Sequence, residues 1–70
     1  MIPLTVADIG VPAVICRVGG SPSLRRHLET LGFVTGATVT VISSLGGNLI
    51  VGIKESRVAL SHETAQKIMV

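Results

Sequence analysis

The chain has 70 residues, a formal net charge of +2 and a pI near 9.3, and 47% of its residues are hydrophobic although only one is aromatic. This length allows one domain of marginal stability, and mild basicity without stacking aromatics argues against a nucleic-acid-binding surface. The single cysteine excludes an internal disulfide, and with two histidines it cannot supply the paired ligands of a structural zinc site. We expect a cytoplasmic protein without membrane insertion, because no apolar run could span a bilayer, no signal peptide is evident and a lone thiol suits a reducing compartment.

The first quarter of the chain is predicted to be extended. Residues 1–10 indicate a short strand or an irregular lead-in, and a turn follows at 10–12. Residues 13–18 alternate between two faces, of which the face made by Val14, Cys16 and Val18 is entirely apolar. We therefore predict a strand over 13–18 that buries this face, with Cys16 packed as a small hydrophobic side chain.

Residues 21–31 carry the signals of a helix. Ser21 can cap it by accepting a hydrogen bond from an unpaired backbone N–H, and Pro22 falls at the first helical position, where its missing donor costs nothing. Leucines then recur at i, i+4 and i+7, which predicts a helix over 22–31 with one apolar face. That face consists of Leu24, Leu28 and Leu31.

The end of this helix is equally specific. Gly32 stands where the chain must adopt a left-handed conformation to leave the helix, and Phe33 occupies the position that packs back on Leu28. A second tight turn is predicted over 34–36, in which Gly36 supplies a positive φ.

Two alternating segments, 38–43 and 49–54, surround a glycine pair and predict a hairpin. Their apolar faces oppose each other only if Val41 pairs with Val51 and Val39 with Ile53, which requires an odd number of loop residues. We therefore predict a three-residue loop with a glycine bulge.

The chain ends with a further strand and a short helix. A two-residue turn at Glu55 and Ser56 is predicted to pair Ile53 with Val58, although a longer turn is the alternative because neither turn residue favours a positive φ. Ser61 then caps a helix over 62–68, and residues 69–70 close the edge of the sheet. The pattern as a whole predicts a mainly β domain, a small partly open barrel with one inserted short helix and a short C-terminal helix.

Several of these segments resemble one known family. The stretch L-R-R-H-L-E-T-L-G-F-V-T-G at 24–36 is similar to the helix-and-turn signature of FeoA-type proteins. The segments G-G-N-L-I-V at 46–51, S-R-V-A-L-S at 56–61 and E-T-A-Q-K-I-M-V at 63–70 follow in the family's order, so the resemblance covers nearly the whole chain. Two positions depart from the family pattern, which usually has Pro at Thr35 and often at Asn48, and neither changes the expected fold.

The resemblance implies a single SH3-like domain over 1–70 and a non-enzymatic adaptor that supports ferrous iron uptake. The implied partner is the cytosolic region of the membrane transporter FeoB, which carries a GTPase domain. The same SH3-like domain occurs at the C-terminus of DtxR-type regulators, but no DNA-binding helices precede it here, so direct repression is not expected. An enzyme is not expected either, because the four carboxylates are scattered and no pair is spaced for acid–base catalysis.

Three surfaces are candidates for partner binding. Arg25, Arg26 and His27 follow one another on the helix, either as an ordinary solvated face or as a contact for an acidic partner. Ile42 and Ile50 are predicted to face each other outside the barrel, where the N-terminal segment covers them or they form an exposed patch that marks an interaction site. A cleft beside Phe33 is the alternative to this patch as the place that receives a partner segment or a second copy.

Metal binding is the main alternative function. Imidazole suits zinc, nickel and iron, so His27 and His62 could each bind a transition metal weakly, and a metal could bridge two copies of the chain. A lone histidine makes no specific site, so no catalytic, cofactor or metal residue is assigned. A metal-binding or metal-sensing module and a homo-oligomer therefore stay open beside the adaptor.

Overall fold

The computed structural model describes residues 1–70 and shows a mainly β domain with two helices, as the sequence predicts. In chain order the elements are a 3₁₀ turn (Leu4–Val6), β1 (Ala13–Val14), β2 (Arg17–Val18), α1 (Pro22–Leu31), β3 (Thr38–Leu45), β4 (Asn48–Ile53), β5 (Ser56–Ser61), α2 (His62–Ala65) and β6 (Ile68–Met69). The strands form two antiparallel sheets, one with the order β1-β3-β4-β5 and one made of β2 and β6.

One core of twelve buried apolar side chains lies between the sheets and the helices. It includes the alternate residues of β3 and β4 that the sequence assigned to the buried face. Phe33 and Leu4 are its largest members with no exposed surface. The N-terminal segment therefore contributes to the core rather than only leading into it.

Helix α1 begins and ends as predicted. The Ser21 hydroxyl oxygen accepts a hydrogen bond from the Leu24 N–H at 3.2 Å, which caps the first turn. Gly32 leaves the helix with a φ of 105°, and the Phe33 N–H donates to the Leu28 carbonyl at 2.9 Å. This is a Schellman stop, and it turns the Phe33 side chain directly into the core beside Leu28.

We expect the variant Gly32→Ala to be destabilised by about 2 kcal/mol or more, which corresponds to roughly 10 °C in melting temperature for a domain of this size. A left-handed backbone is unfavourable for alanine, and the new Cβ would lie 3.2 Å from Lys54 Cε and 3.5 Å from Ile53 Cγ1. Thermal unfolding followed by circular dichroism measures this loss.

Gly36→Ala is the matched control for this variant. Gly36 has a similar φ of 91°, but a Cβ there would meet nothing within 4 Å. Gly36→Ala should therefore be destabilised only by the unfavourable left-handed backbone of alanine, without an added steric clash. Equal losses in the two variants would contradict the close packing assigned to Gly32.

The predicted strand over 13–18 is wrong at Val14 and Cys16, which are exposed, whereas Val18 packs against the core as predicted. The segment divides into β1 and β2, which belong to different sheets. The Ile15 N–H donates to the Ala37 carbonyl, whereas the Cys16 N–H donates to the Met69 carbonyl. Because the chain changes partners between these two residues, Ile15 points into the core and Cys16 is exposed.

The predicted pairing of β3 with β4 is confirmed, but a bulge inside β3 produces it and not the predicted three-residue loop. Val41 lies opposite Val51 as expected, while the loop contains two residues, Gly46 and Gly47, instead of three. Both glycines have positive φ values, 55° and 83°, which suit a two-residue hairpin. The extra residue that restores the buried faces is Ile42, a bulge inside β3.

The last hairpin and helix are shifted from their predicted bounds. The turn between β4 and β5 consists of Lys54 and Glu55, so Ile53 pairs with Ser56 and the predicted Ile53–Val58 pair is wrong by two residues. Lys54 itself adopts a φ of 55°, which moves the turn earlier. A shift of two keeps every side chain on its predicted face. Helix α2 ends at Ala65, and β6 begins three residues later.

Candidate partner-binding surfaces

The polar side chains form no catalytic arrangement. Asp8, Glu29, Glu55 and Glu63 are all exposed and lie on four different segments of the chain. No group of three or more His, Cys, Asp and Glu side chains comes together to hold a metal ion. His27 on α1 and His62 on α2 are exposed and separate, so the metal-bridged dimer stays an untested prediction.

Arg25 and Arg26 lie in an open groove on α1. Together with Pro22 and Glu29 they line a concave surface with a volume of about 280 Å³. All four residues are exposed. His27 does not line this groove, because it lies about 100° further around the helix than Arg26. The structure therefore brings together two of the three predicted basic residues, with the Glu29 carboxylate beside them.

Ile42 and Ile50 lie on the outer face of the four-stranded sheet. Both side chains are half-buried. Ile42 packs over β4, since its Cδ1 lies 3.5 Å from the position that a Cβ on Gly52 would occupy. Ile50 lies between Ser43 of β3 and Ala59 of β5. The two isoleucines therefore do not pair directly, although they share one apolar surface.

The N-terminal segment reaches the edge of this sheet. The Gly10 N–H donates to the Val41 carbonyl at 2.8 Å, and Ile9 forms a bridge with Val41. Several of the segment's apolar side chains nevertheless stay exposed: Val6 by 62%, Ile9 by 60% and Val11 by 54%. The segment thus adds apolar surface to this part of the domain.

Phe33 has no exposed surface and offers no direct contact to a partner. The ring belongs to the buried core, because the Schellman stop directs it inward, and the surface groove lies on α1 without Phe33 in its lining. The prediction that Cys16 is buried is also wrong, since its thiol is exposed and donates a hydrogen bond to the Val14 carbonyl at 3.7 Å. No helix combines the length and apolar character needed to cross a membrane.

Sequence reasoning did not identify the free edge of β5 or the exposed Arg57 on it. β5 pairs with β4 alone, so its other side has no neighbouring strand. The signal was present in the sequence, because two successive hairpins predict a meander whose last strand has one unpaired side.

Comparison with known proteins gives the family. The FeoA domain model matches residues 2–70. A crystal structure of an iron uptake regulatory protein, FeoA, is 26% identical with a TM-score of 0.89, and the match covers 99% of this chain and 93% of that one. Stenotrophomonas maltophilia FeoA, crystallised with zinc, is also 26% identical with a TM-score of 0.86, and the match covers 100% of this chain and 89% of that one.

The predicted likeness to DtxR-type regulators is also found. A manganese-dependent transcriptional repressor is 22% identical with a TM-score of 0.84, over 94% of this chain and 38% of the repressor, which shows the shared fold. No curated protein matches the sequence. Since the FeoA model spans almost the whole chain and the same fold recurs in solved FeoA structures, the chain belongs to the FeoA family, whose members are non-enzymatic accessory proteins of ferrous iron uptake.

Proposed function

We propose that this chain is a cytoplasmic adaptor that docks on the cytosolic region of a FeoB-type ferrous iron transporter. The observation that carries the proposal is the outer face of the four-stranded sheet, where the half-buried Ile42 and Ile50 share one side of the sheet with the exposed Leu45. Apolar side chains that stay accessible on a small domain commonly mark a protein contact. An adaptor needs such a surface and needs no catalytic group.

The basic groove on α1 supports the same function in a different way. Arg25 and Arg26 are exposed cations that can attract an acidic surface and orient it before contact. Such steering changes the rate of association and its salt dependence more than the final affinity. We therefore assign the affinity to the apolar face and the steering to the groove, with His27 at its margin.

The double variant Ile42→Glu/Ile50→Glu should lose association with the transporter's cytosolic region. A glutamate on this face would have to be desolvated against the partner, which costs several times the thermal energy for each carboxylate. We expect at least a thirtyfold rise in Kd, equivalent to about 2 kcal/mol, measured by isothermal titration calorimetry.

The matched control is Val34→Glu/Gln66→Glu, which adds the same charge at two exposed positions outside the four-stranded sheet. This control should bind the transporter region as the unmodified chain does. Both double variants must keep the far-ultraviolet circular dichroism of the unmodified chain. Unchanged binding by the isoleucine variant would refute the assignment of this face.

A further inference from the structure

The edge of β5 carries unpaired backbone groups in a defined pattern. Ile53 and Ser56 close the two-residue turn and form a hydrogen-bonded pair, so the bonds to β4 recur at every second residue of β5. The His62 N–H bond to the Gly47 carbonyl, at 2.9 Å, continues the same series past the end of the strand. The intervening residues, Arg57 and Ala59, therefore direct their N–H and C=O groups away from β4.

The outer face beside this edge has a distinct chemistry. Ala59 lies next to Ile50, so the apolar surface extends across the sheet and reaches the edge at a small side chain. Arg57 lies next to Gly52, is exposed and is the one charged residue of β5. None of the side-chain hydrogen bonds in the domain involves it. An unpaired cation thus lies two residues from an apolar position on the same face.

We infer that the free edge of β5 accepts an extended segment of a partner protein, which adds a fifth strand to the sheet. The N–H and C=O groups of Arg57 and Ala59 pair with the backbone of this segment. Its side chain opposite Ala59 is apolar and continues the surface of Ile50, while the side chain opposite Arg57 is acidic. The inference rests on the proposed function for the identity of the partner, and it specifies how the docking is made.

A second copy of the chain suits this edge less well. Four backbone hydrogen bonds could form if two β5 strands paired around Val58, with Arg57 of each copy opposite Ala59 of the other. The two Arg57 side chains would then be diagonal neighbours on one face, roughly 7–8 Å apart, and would repel each other. A segment with an acidic residue opposite Arg57 replaces this repulsion with attraction.

The test uses the full ¹⁵N-labelled chain and two probes. One is the cytosolic region of the transporter, and the other is a capped peptide with the sequence threonine–valine–threonine–glutamate–threonine–valine–threonine. The peptide places valine and glutamate two residues apart on one face and reads alike in both directions. We expect the amide signals of Arg57 and Ala59 to shift and to exchange more slowly with solvent when either probe binds.

Two variants separate strand addition from other contacts. Ala59→Pro removes the outward N–H without removing a bond to β4 and should abolish binding of both probes, whereas Ala59→Ser keeps the N–H and should bind normally. Arg57→Glu should weaken binding of the peptide at least tenfold. Binding should return with a peptide that carries lysine in place of glutamate, and this rescue does not depend on the proline variant being folded.

The results distinguish this inference from the proposed function. If the transporter region binds while the signals of Arg57 and Ala59 do not move, the inference is wrong and the adaptor function stands. If the peptide alone binds at the edge, strand addition stands and the transporter is not the partner. Shifts of the edge signals on concentrating the chain by itself would assign the edge to a second copy and overturn the inference, as would no response to either probe.

Discussion

Replacing Phe33 with alanine should remove most or all of the stability of this domain. Phe33 is the single aromatic residue of the chain and has no exposed surface. Truncating a buried phenylalanine typically costs about 3–5 kcal/mol through lost apolar burial and the cavity that remains. A domain of 70 residues has a total stability of only about 4–10 kcal/mol. Urea unfolding followed by circular dichroism should show a much lower midpoint or no folded baseline.

The neighbouring residue provides the control for this effect. Val34 is 41% exposed and lies outside the core, so Val34→Ala should change the free energy of unfolding by less than about 1 kcal/mol. Phe33→Leu keeps most of the buried volume and should fall between the two variants. A midpoint for Phe33→Ala no lower than that of Val34→Ala would mean that the ring does not hold the core together.

The neighbourhood of Phe33 could be predicted because its signals are local. Ser21, Pro22 and Gly32 each act through the geometry of their own turn, whatever the rest of the chain does. The leucine spacing then fixes which side of α1 is buried. For these reasons the helix, its stop and the inward direction of the following residue can be derived without knowing the sheet.

The strand over 13–18 shows why other parts could not be derived. Its alternation favours the face with Val14 and Cys16, but the backbone bonds of Ile15 and Cys16 go to segments more than twenty residues away. A change of sheet partner in mid-strand reverses the face without leaving a mark in the local pattern. The bulge at Ile42 could not be derived for a related reason. The apolar faces of the two strands match only if the hairpin contains one extra residue, but the sequence does not show where that residue lies.

The residues of the candidate surface also differ in how far the sequence predicts them. Strand parity places Ile42 and Ile50 on the outer face, and their half-buried state agrees with that placement. The binding role predicted for Phe33 stays untested, but the ring itself is completely buried, because the residue after a Schellman stop packs back on the helix. The edge role of Arg57 needs the strand order as well as the sequence pattern.

The N-terminal segment shows how a chain with a small core uses residues outside its regular elements. Leu4 belongs to a single 3₁₀ turn, yet it is completely buried. Ile2 and Val70 exchange two backbone hydrogen bonds of 2.8 Å, so this turn is held beside the C-terminal end of the chain. The two ends of the chain are therefore held together beside the core. The stability of the domain should depend on Leu4, although no periodic pattern in the sequence identifies it as a core residue.

Leu4→Ala should accordingly destabilise the domain by about 2–5 kcal/mol, the range for a fully buried leucine. Val6→Ala, a change in the same turn at a position 62% exposed, should have an effect of less than about 0.5 kcal/mol. Urea unfolding of the two variants measures this difference. Amide hydrogen exchange should also become faster at Ile2 and Val70 in Leu4→Ala, since the loss of the buried side chain frees the segment that their hydrogen bonds join. If both variants unfolded at the same urea concentration, the N-terminal turn would be an appendage to the core and not a part of it.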